Sequence, residues 1–269
     1  MTTAVAIAAV LFVLVAINLW VHVGPSGIHV VTGPLAALLL LALARVAGLT
    51  WTELGLGSQT LLSGVQLAAV AFAVVAIVYA VGVAIPFTRG AFRDTRYRVG
   101  LAAALYLSLV AIPLGTVLFE EVAFRGVLWG LLARDYGVPV ATGMSAILFG
   151  LWHVLPALDL ARTHTSVRGA TAAGGRRGTL TVLATIVFTA LAGIVFAELR
   201  RRSGSLLAPI GLHWATNGLG VLAAARVWAI SPHEIPAPAE TVTPDSEGTP
   251  ESATQPQWQR ILRRLSGRS

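Results

Sequence analysis

Residues 113–134, PLGTVLFEEVAFRGVLWGLLAR, decide how this chain is read. Two adjacent carboxylates, Glu120 and Glu121, and the guanidinium of Arg125 stand in the middle of a mostly apolar run that closes with Arg134. A charge at bilayer depth costs free energy, so an acid in such a run marks a functional site by default. On a helix, Glu121 and Arg125 share a face, in the order that favours an ion pair. Glu120 then points about 100° away around the helix and is left for other work. One neutralised carboxylate beside one spare carboxylate is a way to hold a base within lipid.

The rest of the composition agrees with a membrane setting. Hydrophobic residues make up 56% of the chain and charged residues 12%, with mean hydropathy +0.78, against about 25% charged in soluble domains. The expectation is an all-α, polytopic membrane helical bundle with its site between helices. The net charge of +7 lies in loops and ends, which bears on membrane orientation and not on nucleic-acid binding. With no cysteine, the chain has no disulfide, no thiolate metal ligand and no cysteine nucleophile.

Working outward, apolar runs at 3–23, 28–47, 61–85, about 100–134, 138–158, 180–199 and 206–230 predict about seven transmembrane helices, within a range of six to eight. The first lacks a positive leader and a small-residue cleavage site, and reads as a retained span. Pro113 and Gly115 predict a kink or break just before Glu120, and Pro156 predicts that the fifth run stops or kinks there. His22 and His29 flank the turn between the first two spans, and polar tips at the membrane interface account for them. Residues 159–179 read as a flexible basic loop, and Glu198 with Arg202 as a surface pair.

Four sections follow from this pattern. Residues 1–98 hold the N-terminal spans and a basic loop, and 99–230 hold the membrane core with the carboxylates. Residues 231–256 read as a disordered acidic Pro/Thr/Ser linker. Residues 257–269 fit either a basic amphipathic helix on an anionic membrane surface or a basic disordered end.

Besides the carboxylate stretch, the polar residues inside spans are principally His153, His213 and Asn217. Three helices thus bring polar groups to membrane depth, where they are satisfied most easily by meeting one another. Phe149 and His153 share a face, so the ring can wall the site and orient the imidazole. His213 and Asn217 likewise present two polar side chains to one point.

The ordered set EEVAFR at Glu120–Arg125, FGLWH at Phe149–His153 and HWATN at His213–Asn217 resembles the three-motif signature of the CPBP family. This family of intramembrane proteases includes type II CAAX prenyl proteases and bacteriocin-processing or abortive-infection proteins. The resemblance covers roughly residues 95–228, and Glu-Glu-x-x-x-Arg followed by Gly126 is its most specific part. It implies a helical membrane endopeptidase in which Glu120 activates the hydrolytic water and His153 helps to hold it. His213 and Asn217 match oxyanion-stabilising positions, and Glu121 and Arg125 match supporting ones.

No cofactor is favoured, and a divalent metal such as zinc is the alternative. Glu120, His153 and His213 are chemically suitable zinc ligands, but the chain lacks the His-Glu-x-x-His helix, and His213 with Asn217 makes a better donor pair than a ligand pair. The expected partners are the lipid bilayer and a peptide or lipidated protein substrate in the cell membrane; oligomeric state is left open. A non-catalytic scaffold or immunity protein of the same fold would keep the helices without needing the full polar set. A transporter would show a continuous polar path and repeat symmetry, and neither is visible in the sequence.

Overall fold

The computed structural model describes residues 1–23, 27–163 and 176–231. Every regular element among them is helical. In chain order these are α1 (Thr3–Val23), α2 (His29–Val46), α3 (Leu61–Ala84), α4 (Leu101–Tyr136), α5 (Val138–Trp152), α6 (Val154–Thr163), α7 (Arg176–Ser203) and α8 (207–230). Among the described residues, five helices, α1, α2, α3, α4 and α7, are long and apolar enough to cross a membrane. The protein is a polytopic helical bundle.

The organising element is α4. Residues 119–132 are buried all the way round, which is the pattern of a helix enclosed by other helices. Ala6, Val10 and Leu14 of α1, Leu40 and Ala44 of α2, Phe149 of α5 and Phe196 of α7 close around it. Outward-facing side chains such as Phe12, Leu62, Ile77 and Phe188 are exposed and apolar, as a lipid-facing surface requires.

The expected break at Pro113 does not occur. Instead α4 runs as one 36-residue helix, with π-helical turns at Leu107–Ala111, Pro113–Val117 and Val122–Leu128. Wider turns absorb the missing proline N–H without ending the helix, but they disturb the regular carbonyl ladder. Neighbouring helices supply donors to carbonyls in these turns. Trp214 Nε1 donates to the Ser108 carbonyl at 2.8 Å, and the Ser145 hydroxyl to the Phe124 carbonyl at 2.8 Å. The π-helical turn of α8, Ala215–Leu219, has the same device, since the Tyr79 hydroxyl donates to the Thr216 carbonyl at 3.1 Å. Lipid supplies no such donors, so the bundle must.

A second expectation is corrected by one turn. The fifth run ends at Trp152 and not at Pro156, and a new helix starts at Val154. Pro156 has no N–H with which to bond the Trp152 carbonyl four residues back. Asn18 of α1 fills that place, its Nδ2 donating to the carbonyl at 2.9 Å. The basic loop expected at 159–179 is shortened from both sides, because residues 159–163 complete α6 and 176–179 begin α7. Its remainder lies outside the described residues, as do the acidic linker and the basic C-terminal segment.

Small residues set the close helix contacts, as is usual between membrane helices. A Cβ on Gly33 of α2 would come within 2.6 Å of the Leu114 carbonyl oxygen, and one on Gly150 of α5 within 2.7 Å of the Ile186 carbonyl oxygen. The first contact presses α2 against the segment that leads to Glu120, and the second joins α5 to α7.

Candidate active site

Glu120 is 5% exposed, and Glu121 and Arg125 are fully buried. The four-residue spacing pairs Arg125 Nη1 with Glu121 Oε1 at 3.1 Å. The same carboxylate oxygen accepts from His213 Nδ1 at 2.7 Å. Because a carboxylate paired with a guanidinium accepts and does not donate, the Nδ1 proton of His213 belongs to this bond. The other ring nitrogen, Nε2, faces Glu120 Oε2 at 3.8 Å, too far for a direct hydrogen bond.

Aromatic rings enclose this network. The Arg125 guanidinium lies 3.9 Å from the Phe149 ring centre and 4.8 Å from that of Phe196, so two ring faces share its charge with Glu121. His213 stacks on Phe196 at 5.0 Å and meets Phe149 edge-on at 6.0 Å. These contacts fix the imidazole plane as well as its Nδ1 bond.

Glu120 turns away from Glu121, as the helical spacing requires. Its Oε1 accepts from Trp152 Nε1 at 2.9 Å. Its Oε2 has no hydrogen-bond partner among the described residues. Glu120 lies on the wall of a cavity of about 260 Å³, with Phe119, Trp152 and Pro156 on one side. The other side comes from α1 and α2, with Ile17, Asn18, His22, His29 and Thr32. His22 and His29, read from sequence as interface tips, therefore both line the space beside Glu120.

The sequence-derived residues do not all converge to the same degree. Glu120, Glu121, Arg125, Phe149 and His213 form one contact network. His153 sits just past the end of α5, half-buried, its Nδ1 bonded to the Phe149 carbonyl at 2.8 Å and its ring 4.6 Å from the Phe149 ring. Phe149 thus walls the site and orients that imidazole as expected. No hydrogen bond or ion pair joins His153 to Glu120 among the described residues; the imidazole nearest that carboxylate in the bonded network is His213. Asn217 lies on the π-helical turn of α8 and is exposed, without a hydrogen bond among the described residues.

Two participants escaped the sequence reading. Trp152 stands inside FGLWH, and an indole N–H at membrane depth needs an acceptor, which was the available signal. Phe196 gave none, because a phenylalanine in an apolar span looks like any lipid-facing residue until α7 is packed.

Residues 102–219 match the family model described as Type II CAAX prenyl endopeptidase Rce1-like. Over these residues the chain is similar to an Rce1-like domain. This is a family of proteases, and the match spans α4 through the π-helical turn of α8, including all three motifs. No match was found among curated proteins or solved structures. Helices α1 and α2 lie outside the Rce1-like residues, although they supply half of the cavity wall. Among the described residues, no three His, Asp or Glu side chains are grouped to hold a metal ion. In particular, His213 offers only Nε2 toward Glu120, its Nδ1 being engaged by Glu121.

Proposed function

We propose that the chain is an intramembrane endopeptidase that hydrolyses a peptide bond of a membrane-associated protein or peptide, with Glu120 as general base. The observation that carries this reading is the state of the Glu120 carboxylate. One oxygen is pinned by Trp152, and the other has no hydrogen-bond partner among the described residues and faces His213 Nε2 beside a cavity. A water oxygen about 2.8 Å from each of these two atoms would bridge them.

In the first step Glu120 Oε2 takes a proton from that water while the oxygen bonds to the scissile carbonyl carbon. Negative charge moves to the carbonyl oxygen, and the amide of Asn217, one turn from His213 on α8, is the donor assigned to meet it; His213, its Nδ1–H held by Glu121, accepts from the water at Nε2. His153, oriented by Phe149, is assigned to the water's second side. In the second step the carbon–nitrogen bond breaks, and Glu120 returns its proton to the departing amine. Glu121 and Arg125 hold His213 in its working tautomer. The donor set supports a route without a metal, and no step here uses one.

A lipid-anchored substrate fits a second feature. An apolar slot of about 220 Å³, walled by Leu11, Leu14, Val15 and Leu19 of α1 with Leu148, Leu151 and Leu155, adjoins the Glu120 cavity. Asn18 and Trp152 line both spaces. A hydrocarbon chain in the slot would set an attached peptide beside Glu120, consistent with the prenyl endopeptidase description of the family. The cell membrane is the proposed location.

The test is cleavage of a library of prenylated, acylated and plain peptides by the purified protein in detergent. Wild type is expected to cut lipidated peptides, and Glu120→Ala, His153→Ala and His213→Ala are expected to lose at least about 100-fold in kcat/KM. Preference for plain peptides would remove the lipid-anchored substrate class.

A further inference from the structure

A glutamate has three rotatable bonds, so a base at the end of one is useful only if something selects its orientation. Trp152 meets that need. Its indole N–H binds Glu120 Oε1, leaving Oε2 toward His213. The indole is a donor only and does not titrate near neutral pH, so it can hold the carboxylate without competing for its proton.

The indole is itself held. Its ring packs against Phe119 at 5.7 Å and edge-on against Phe124 at 6.0 Å, both from α4. Its carbonyl, which Pro156 cannot bond, takes the Asn18 amide at 2.9 Å. The end of α5 is thereby tied to α1 at the residue that touches Glu120. A hydrogen-bonded line runs from Asn18 through Trp152 to the carboxylate.

We infer that Trp152 is a positioning residue for Glu120, and that Asn18, outside the Rce1-like residues 102–219, acts through it. The inference rests on Glu120 being the base. It gives α1 a part in catalysis that is distinct from lining the cavity. Trp152→Phe removes the N–H and keeps a packed ring, so kcat falls about 10- to 100-fold while KM stays within about twofold. Asn18→Leu lowers kcat in the same direction by a smaller factor.

The experiment uses the full chain in detergent with nitrogen-15 in its tryptophan indoles. The Trp152 indole cross-peak is identified by its loss in Trp152→Phe, and the peak readout requires no substrate. Glu120→Gln, which replaces a charged acceptor with a neutral one, is expected to move the Trp152 indole proton upfield. Asn18→Leu is expected to shift or broaden the same peak and leave the other indoles in place. A Trp152 peak unmoved by Glu120→Gln overturns the inference, as does wild-type kcat in Trp152→Phe on a peptide that the wild type cuts. Cleavage retained by Glu120→Gln overturns the base assignment instead, so the two failures are told apart.

Discussion

Arg125 shows how a charge is made tolerable inside this bundle. Its partners are one carboxylate oxygen and the faces of Phe149 and Phe196, with no water required for the pairing. Removing the guanidinium would leave Glu121 buried with only His213 beside it, and breaking a buried pair in this way costs about 3–5 kcal/mol. Arg125→Met is therefore expected to lower stability by that amount, read from unfolding in mixed detergent micelles. A loss below about 1 kcal/mol would mean that the rings and His213 hold the cluster without the ion pair. Arg125→Lys is expected to rescue only part of the loss, because an ammonium lacks the flat face that stacks on two rings. The pairing of Glu121 with Arg125 was legible in the sequence because helical spacing is local. The bond between Trp152 and Glu120 was not, since the two residues are 32 apart in the chain and meet only once α5 packs on α4.

Among the elements, α2 and the loop after it carry two checks. Gly33 sits so close to the Leu114 carbonyl that any larger side chain must push α2 off α4. Gly33→Leu is expected to cost at least about 1–3 kcal/mol by overpacking and to lower cleavage, since the displaced helix carries His29 and Thr32 of the cavity wall. Unchanged stability would mean that this contact is looser than described.

In the loop at 48–60, the Thr50 N–H and hydroxyl each donate to Glu53 at 2.7 Å. The backbone donor first and the hydroxyl second hold the Glu53 carboxyl below the usual carboxylate range. Its contribution is present above that range and is lost as pH falls through the lowered value. The protection factors of amides 50–56, taken relative to the intrinsic exchange rate at each pH, are expected to fall on acidification in wild type, with Glu53→Gln removing that dependence. An equal fall in both would sink this assignment. Sequence located the helices themselves, since long apolar runs demand them. It left open whether Pro113 and Pro156 break a helix or only kink it, because that depends on which neighbours satisfy the freed carbonyls. Trp214 reaches the Ser108 carbonyl and Asn18 the Trp152 carbonyl here, each from another helix.

For the whole molecule, the distribution of polarity is inverted relative to a soluble protein. Glu120, Glu121, Arg125 and His213 are inside, and apolar side chains face out. Composition alone made that legible, and the three motifs made the centre of the site legible. What α1 and α2 contribute was hidden, because they carry no motif and act only through position. Gly211 of α8 also lies against Ala68 of α3, so the first three helices are packed onto the Rce1-like residues on more than one side. A fragment of residues 99–231 is accordingly expected to aggregate in detergent where the full chain is monodisperse, as judged by size-exclusion chromatography. A well-behaved fragment would mean that those contacts are dispensable for folding.

The central claim is that Glu120 is the base of a peptide-bond hydrolysis that needs no metal. Its most direct test is the kcat/KM of purified wild type and Glu120→Gln on one cleaved lipidated peptide, each with and without a chelator, after both are shown to fold alike. The expected result is cleavage by the wild type that survives chelation and falls by at least about 100-fold in Glu120→Gln. Cleavage by Glu120→Gln at the wild-type rate would contradict the assignment of the base. Loss of wild-type cleavage on chelation, restored by added zinc, would contradict the metal-free route.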